Sequence, residues 1–179
     1  MTLHKTYNPE LPMRSLDDVL TIVTELAERW MWKMETRQPE AGRIDVLLPG
    51  PADLVPFVVA LRVQRLGYLS TITGLDLGTE AGQLELLYHF CPGPALITLR
   101  LRLPRSAASV PSLTEIIPSA ESAEREVREM FGVDFDGLRN PERLYLPDDW
   151  PAEVFPQRKD YSPNGRRAAD ASGPNTVQA

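Results

Sequence analysis

Two adjacent carboxylates, Asp148 and Asp149, have the clearest capacity for chemistry in this sequence. A pair of carboxylic acids can act as general acid and base, or can bind a hard cation. Adjacent side chains on a helix or strand point in different directions, however, so neighbouring aspartates seldom converge on one site. Aspartate also favours the start of a turn, and Trp150 and Pro151 follow directly. A turn is therefore the preferred interpretation, with a stand-alone enzyme that uses this pair as an alternative.

Cysteine and histidine offer little to a metal or redox site. Cys91 is the only cysteine, which excludes an intrachain disulfide and a four-thiolate iron–sulfur or zinc site. His4 and His89 lie far apart, without the spacing of a tetrahedral zinc site, and His89 is interpreted as a structural histidine within a strand. We find no nucleophile–base pair and no phosphate-binding glycine loop. A formal net charge of -6 argues against a nucleic-acid partner.

The run Arg158, Lys159, Asp160 and Tyr161 places two cations, an anion and an aromatic ring in consecutive positions. An exposed charged loop is the plainest interpretation of this run. The alternative is a contact with a partner, because an arginine can bind a carboxylate through two hydrogen bonds and such pairs anchor interfaces.

A strong amphipathic helix is predicted over residues 120–131. Ala123, Val127, Met130 and Phe131 recur at helical spacing and form one apolar stripe. Ser119 can cap the start of this helix and Gly132 can end it. The spacing also predicts two ion pairs on its surface, Glu121 with Arg125 and Glu124 with Arg128. Glu126 lies at the border of the stripe, where a carboxylate usually has a specific partner, so it is the expected functional charge.

The preceding segment, residues 14–104, is predicted to be an α+β domain. Ser15 caps a first helix over about 16–30, a strand follows over 42–49, and Asp53 caps a second helix that ends near Gly67. Three strands come next, over 68–77, 83–90 and 95–103. In the last strand Ile97, Leu99, Leu101 and Leu103 share a buried face, and Thr98, Arg100 and Arg102 share a wet one. We therefore expect helices packed on one face of a mostly antiparallel sheet.

The remaining segments are predicted to lack a core of their own. Residues 1–13 are a loose lead-in, and the lack of an apolar stretch in them argues against a signal peptide and for a cytoplasmic protein. No apolar run reaches the ~20 residues that span a bilayer. Residues 105–161 comprise a linker, the helix and an arm from Gly132 to Tyr161. The proline-rich arm is expected to lie extended on a partner and to be ordered only by it. Residues 162–179 are predicted to be a disordered tail.

Several runs in the C-terminal half resemble the signature of the respiratory-chain NADH dehydrogenase 30 kDa subunit family, which has members in the bacterial proton-pumping enzyme. They are 118–126, 130–133, 135–137, 143–151 and 156–161, with weaker matches at 73–76, 88–89 and 111–114. The family usually has tryptophan where this chain has Ser122.

The resemblance implies a cofactor-free structural subunit without an active site, in the peripheral arm of the complex on the cytoplasmic side of the membrane. Electrons would pass from NADH to quinone through centres in other subunits. The implied partners are the large 49 kDa-type subunit and the small iron–sulfur subunit of the same complex. The expected interface residues are Glu124, Arg125, Glu126, Phe131, Gly132, Trp150, Arg158, Lys159, Asp160 and Tyr161.

The run 146–151 also resembles the equivalent subunit of membrane-bound energy-converting [NiFe] hydrogenases. That complex is the alternative home for this chain, and the NADH:quinone complex is preferred because it is the commoner one.

Overall fold

The computed structural model of the protein describes residues 14–30 and 34–162. It contains three α-helices, α1 (Leu16–Arg29), α2 (Leu54–Val63) and α3 (Glu121–Phe131). The strands in this part of the chain are β1 (Glu35–Arg37), β2 (Arg43–Leu47), β3 (Tyr68–Asp76), β4 (Gln83–Cys91), β5 (Leu96–Pro104), β6 (Ser109–Pro111) and β7 (Asp134–Asp136). The predicted lead-in, and the predicted tail beyond Ser162, lie outside the described residues.

Five strands form a mixed sheet in the order β1-β2-β5-β4-β3. The pairs β1–β2, β5–β4 and β4–β3 are antiparallel, and only β2–β5 is parallel. The chain returns to β5 beside β2 after α2 and the β3–β4 hairpin, so the parallel pair needs no further crossover helix. The predicted α+β fold with a mostly antiparallel sheet is confirmed.

One face of the sheet is the hydrophobic core. Ile97, Leu99 and Leu101 on β5 are fully buried, and Leu86 and Tyr88 on β4 are their neighbours on that face. Helix α1 contributes Val19, Val23 and Ala27 to the same cluster, and α2 contributes Leu54, Phe57, Val58 and Leu61. The alternating pattern of β5 therefore predicts its buried face correctly.

The opposite face differs from the expected wet surface. Thr98 is fully buried, and Asp45 and Glu85 are only 3% exposed. The guanidinium of Arg100 joins them, with Nη1 3.1 Å from Asp45 and Nη2 2.7 Å from Glu85. Arg102, with 58% of its side chain exposed, is the residue of the predicted set that faces water. Two buried carboxylates require such a partner because isolated buried charges are costly.

The first two helices begin differently. Ser15 caps α1 as predicted, since its side chain accepts the Asp18 N–H while the Asp18 carboxylate accepts the Ser15 N–H. Asp53 makes no capping bond to α2, so that prediction is wrong. Its carboxylate instead accepts the indole N–H of Trp30 at 3.0 Å, and the 3-10 turn Pro51–Asp53 leads into the helix.

Residues after Pro104 add a second layer next to β3. Strands β6 and β7 pair in parallel, and α3 lies between them in sequence and contacts β3. Buried side chains of this segment, including Val110, Leu113 and Phe135, join the same apolar cluster as the sheet. The proposed division of the chain at residue 104 stays a prediction.

Candidate functional site: helix α3 and the arm

Helix α3 begins and ends by different means. A 3-10 turn, Pro118–Ala120, precedes it, and no side chain caps its first residues, so the predicted Ser119 cap is wrong. At the other end Gly132 has φ +70° and donates its N–H to the carbonyl of Arg128. The predicted ending is confirmed, because the left-handed conformation suits glycine.

One side of α3 carries a buried carboxylate that was expected on the surface. Glu124 is fully buried. Its Oε2 accepts the hydroxyl of Ser112 at 2.6 Å, and its Oε1 accepts the Leu113 N–H at 2.6 Å. The predicted ion pair with Arg128 is therefore wrong. Glu124 instead joins α3 to the loop that follows β6, and each bond to a charged acceptor is a strong one.

Burial dominates the electrostatics around Glu124. It raises the pKa of this carboxyl above 4.5, although the bonds from Ser112 and Leu113 act in the opposite direction. The Tyr88 hydroxyl is also fully buried, has no hydrogen-bond partner within the described residues, and has its pKa raised by burial and then by Glu124. These groups belong to the interior of the fold.

An adjacent side of α3 holds the arm by its backbone. Arg125 donates from Nε to the carbonyl of Glu142 at 2.9 Å and from Nη2 to the carbonyl of Arg143 at 2.7 Å. Arg128 donates to the carbonyl of Pro141 at 2.6 Å. The predicted pair between Glu121 and Arg125 is replaced by these contacts. Both arginines therefore bind main-chain atoms of their own chain.

Glu129 completes the contact from the same side of the helix. Its carboxylate accepts three consecutive backbone N–H groups, those of Leu144 at 3.1 Å, Tyr145 at 2.7 Å and Leu146 at 3.3 Å. The residue is only 9% exposed because the arm covers it. We name Arg125, Arg128 and Glu129 the clasp. No short-range pattern marks it, because its partners are main-chain groups 13 to 18 residues away.

The end of α3 and the later arm are joined at Gly132. A methyl group on Gly132 would lie 2.4 Å from the ring of Phe155, so a side chain there would displace the arm. Arg158 donates from Nε to the carbonyl of Phe131 at 2.7 Å, and its guanidinium lies 4.5 Å from the centre of the Phe155 ring. The partner of Arg158 is thus internal, in place of the expected carboxylate on another subunit.

The arm is fixed to the sheet through Asp76 at the end of β3. Its carboxylate accepts the Lys159 N–H at 2.8 Å and the guanidinium of Arg105 at 3.2 Å, and Arg105 also pairs with Asp160. Burial opposes ionisation of Asp76, but the bonds from Arg105, Lys159 and Gly78 outweigh it and keep its pKa below 3.8. This group ties residues 159–160 to the sheet.

These contacts correct the expectation that the arm is ordered only by a partner. The arm is folded back on its own domain through the clasp, Phe155 and Asp76. It is a chain of turns rather than an extended strand: Trp150 N–H donates to the Pro147 carbonyl, and Tyr161 N–H to the Arg158 carbonyl. The turn predicted at the two aspartates is confirmed.

The expected interface residues divide into two groups. The structure brings Glu124, Arg125, Phe131, Gly132, Arg158 and Asp160 together as internal contacts. Glu126 and the Lys159 side chain are exposed, and Trp150 and Tyr161 are half-buried with ring centres 6.2 Å apart. The carboxylate of Glu126 has no hydrogen bond or ion pair within 14–30 and 34–162, so a partner for it on another subunit stays a prediction.

A cleft of about 370 Å³ lies between the end of α3 and the arm. Its walls include Glu129, Gly132, Arg143, Trp150 and Phe155. Across the described part of the chain, no group of three or more His, Cys, Asp or Glu side chains is placed to hold a metal ion. In that same part, no helix has the length and apolar character needed to cross a membrane.

Known proteins with similar sequences or structures were then compared. A protein of Salinispora tropica that is named as a component of NADH-quinone oxidoreductase is 39% identical over 104 residues, which are 56% of this chain and 42% of that protein. Hydrogenase-4 component G of Escherichia coli K12 is 35% identical over 130 residues, 70% of this chain and 23% of that protein. The matched region thus spans less than half of either relative.

A solved structure shares most of the fold. A chain of the membrane-bound sulfane sulfur reductase, described as an archaeal respiratory membrane complex, superimposes with a TM-score of 0.70. It is 26% identical, and the match covers 81% of this chain and 86% of that one. The model of the family described as respiratory-chain NADH dehydrogenase, 30 kDa subunit, matches residues 49–167, which include the β3–β5 sheet, α3 and the arm. The chain belongs to the respiratory-chain NADH dehydrogenase 30 kDa subunit family.

Proposed function

We propose that this chain is a non-catalytic structural subunit in the peripheral arm of a proton-translocating NADH:quinone oxidoreductase. It supports electron transfer from NADH to quinone by contact, while flavin and iron–sulfur centres in other subunits carry the electrons. The observation that carries the proposal is the clasp, which binds the arm by main-chain atoms and leaves many arm side chains free for a partner. Family membership supplies the kind of complex.

The proposed partners are the large 49 kDa-type subunit and the small iron–sulfur subunit, on the cytoplasmic side of the membrane. Glu126 and Lys159 are the interface residues of the predicted set that remain free to reach a partner, since both are exposed. Trp150 and Tyr161 are half-buried beside them in the arm. Glu124, Arg125 and Arg158 contribute indirectly, because they shape the surface that the partner meets.

A hydrogenase-type complex is the second candidate. Two observations favour it: the similarity to hydrogenase-4 component G, and a match of comparable length to the chain of the sulfane sulfur reductase complex. The identity of the large subunit that co-purifies with this chain separates the candidates. Two Cys-x-x-Cys motifs in that subunit would provide nickel ligands and would assign the chain to a hydrogenase.

The test is purification of the complex from detergent-solubilised membranes through an affinity tag on this chain, followed by mass spectrometry. Wild-type chain is expected to retain the large and small subunits, together with flavin-bearing and iron–sulfur subunits. The double variant Glu126→Ala/Lys159→Ala should retain less of the large subunit. Glu80→Ala, a substitution on the exposed β3–β4 loop, is the matched control. Absence of a large subunit from the wild-type preparation would contradict the proposal.

A further inference from the structure

Tyr145 is an exposed aromatic residue on a fixed backbone. Its side chain is 63% exposed, although its N–H donates to Glu129 at 2.7 Å. The N–H groups on either side, those of Leu144 and Leu146, bind the same carboxylate. Ordering of the backbone before binding lowers the entropy that an interface loses, and tyrosine adds a large contact area with few rotatable bonds.

The surface around Tyr145 is acidic. Glu142, Asp148, Asp149 and Glu153 are all exposed, and none of their carboxylates has a hydrogen bond or ion pair with another residue of the described segments. Nearby cations are already engaged. Arg143 donates to the carbonyls of Pro147 and Trp150, and the clasp arginines bind carbonyls in the same way. The arm therefore presents one aromatic ring within a rim of free carboxylates.

We propose that Tyr145 is the anchor of an interface, and that its occupant is a protein surface with an apolar pocket rimmed by arginine or lysine. The pocket would desolvate the ring, and the basic rim would neutralise the four carboxylates. This inference rests on the proposed function, because it takes the occupant to be the large subunit of the same complex.

Other occupants fit the surface less well. Nucleic acid carries phosphates that the acidic rim repels. A second copy of this chain would place two acidic rims together, and the whole chain already has a net charge of -6. A basic protein surface is the occupant whose charge complements the rim.

The experiment compares two matched pairs of variants in the tagged complex. Tyr145→Ala is compared with Tyr68→Ala, because Tyr68 is similarly exposed at 67% but lies at the start of β3. The double variant Asp148→Lys/Asp149→Lys is compared with Glu28→Lys/Glu80→Lys, which makes the same charge change at exposed residues outside the arm. The readout is the retained amount of the large subunit, measured at low and at high KCl concentration.

Loss of the anchor should weaken binding of the large subunit by roughly 30-fold, the effect of an interface residue of the strongest class. Tyr145→Phe should recover most of that loss because it keeps the ring. Reversal of the two aspartates should reduce retention at low salt and remove its salt dependence. The Tyr68 and Glu28/Glu80 controls should behave as wild type, and the Tyr145→Ala chain should keep the wild-type melting temperature.

Two results would overturn this inference alone: a Tyr145→Ala chain that retains the large subunit in full, or equal effects of the two charge reversals. A dimer of the isolated chain that Tyr145→Ala abolishes would assign the ring to self-association and would also overturn it. Absence of the large subunit from the wild-type preparation, by contrast, is read without any variant and would contradict the proposed function itself.

Discussion

The five-stranded sheet and the arm are held in place by different kinds of contact. The sheet pairs backbone with backbone and buries alternate apolar side chains, such as Leu99 and Leu101, against α1 and α2. Residues 138–161 of the arm form no strand or helix. Its backbone groups are bound instead by charged side chains, among them Arg125, Glu129 and Arg158.

The difference determines how each region responds to substitution. Burial of apolar area contributes about 25 cal/mol per Å² and is shared by many residues of the sheet. The arm depends on a few charged groups, and loss of one leaves several main-chain groups without a partner at once. A single substitution can therefore release the arm while the sheet stays folded, whereas α3 itself should behave as part of the sheet.

Glu124→Ala tests whether α3 belongs to the sheet. It leaves the Ser112 hydroxyl and the Leu113 N–H buried without an acceptor, so the free energy of unfolding should fall by about 3 kcal/mol. Urea denaturation measures this change. Glu126→Ala, on the exposed side of the same helix, should change it by less than ~0.5 kcal/mol. Equal effects of the two substitutions would show that the buried carboxylate does not hold the helix.

Glu129→Ala tests whether the arm opens independently. The N–H groups of Leu144, Tyr145 and Leu146 lose their acceptor, so local opening should become easier by about 2 kcal/mol. Hydrogen exchange of these amides should accelerate by roughly 30-fold, while exchange at Leu99 in β5 stays unchanged. Glu129→Gln should have a smaller effect because its amide oxygen still accepts. Acceleration at Leu99 to the same extent would mean that the arm and the sheet unfold together.

The smallest effect concerns pH, because two carboxyl groups act in opposite directions. The pKa of Glu124 is raised in the folded chain, so its contribution to stability is full below pH 4.5 and is lost as pH rises through the folded pKa. The pKa of Asp76 is lowered, so its contribution is present above pH 3.8 and is lost as pH falls through the folded pKa.

Unfolding free energies of the wild type, Glu124→Gln and Asp76→Asn across this pH range would separate the two groups. The difference between wild type and Glu124→Gln should shrink as pH rises above 4.5. The difference between wild type and Asp76→Asn should shrink as pH falls below 3.8. Slopes of the same sign for both variants would contradict the assigned pKa directions.

Much of the sheet could be predicted from sequence because its signals are local. The alternation in β5, the Ser15 cap and the turn glycines each lie within a few residues of the structure that they cause. The wet face was wrong for a non-local reason. Arg100 on β5 pairs with Asp45 on β2 and Glu85 on β4, and the order of these strands is not apparent from any one of them.

The arm could not be predicted in this way, because side chains bind main-chain groups far along the chain. Main-chain groups carry no residue-specific signal, so nothing in residues 141–146 indicates the clasp. Glu124 did leave a usable signal. Ala120, Glu124, Val127 and Phe131 recur at spacings of four, three and four, which places the carboxylate within the buried stripe, and all four are buried. The choice of Glu126 as the functional charge overlooked that spacing.

The clasp has a consequence for how this domain can change its partner. Every amino acid supplies the same carbonyl, and every one but proline supplies the same N–H, so the clasp holds residues 141–146 almost regardless of their identity. New side chains can replace Tyr145 and its neighbours without refolding the domain, provided that proline is avoided at 144–146. The helix is thus a fixed mount with an exchangeable head. Such a mount suits a family whose relatives bear the names of both a quinone oxidoreductase and a hydrogenase.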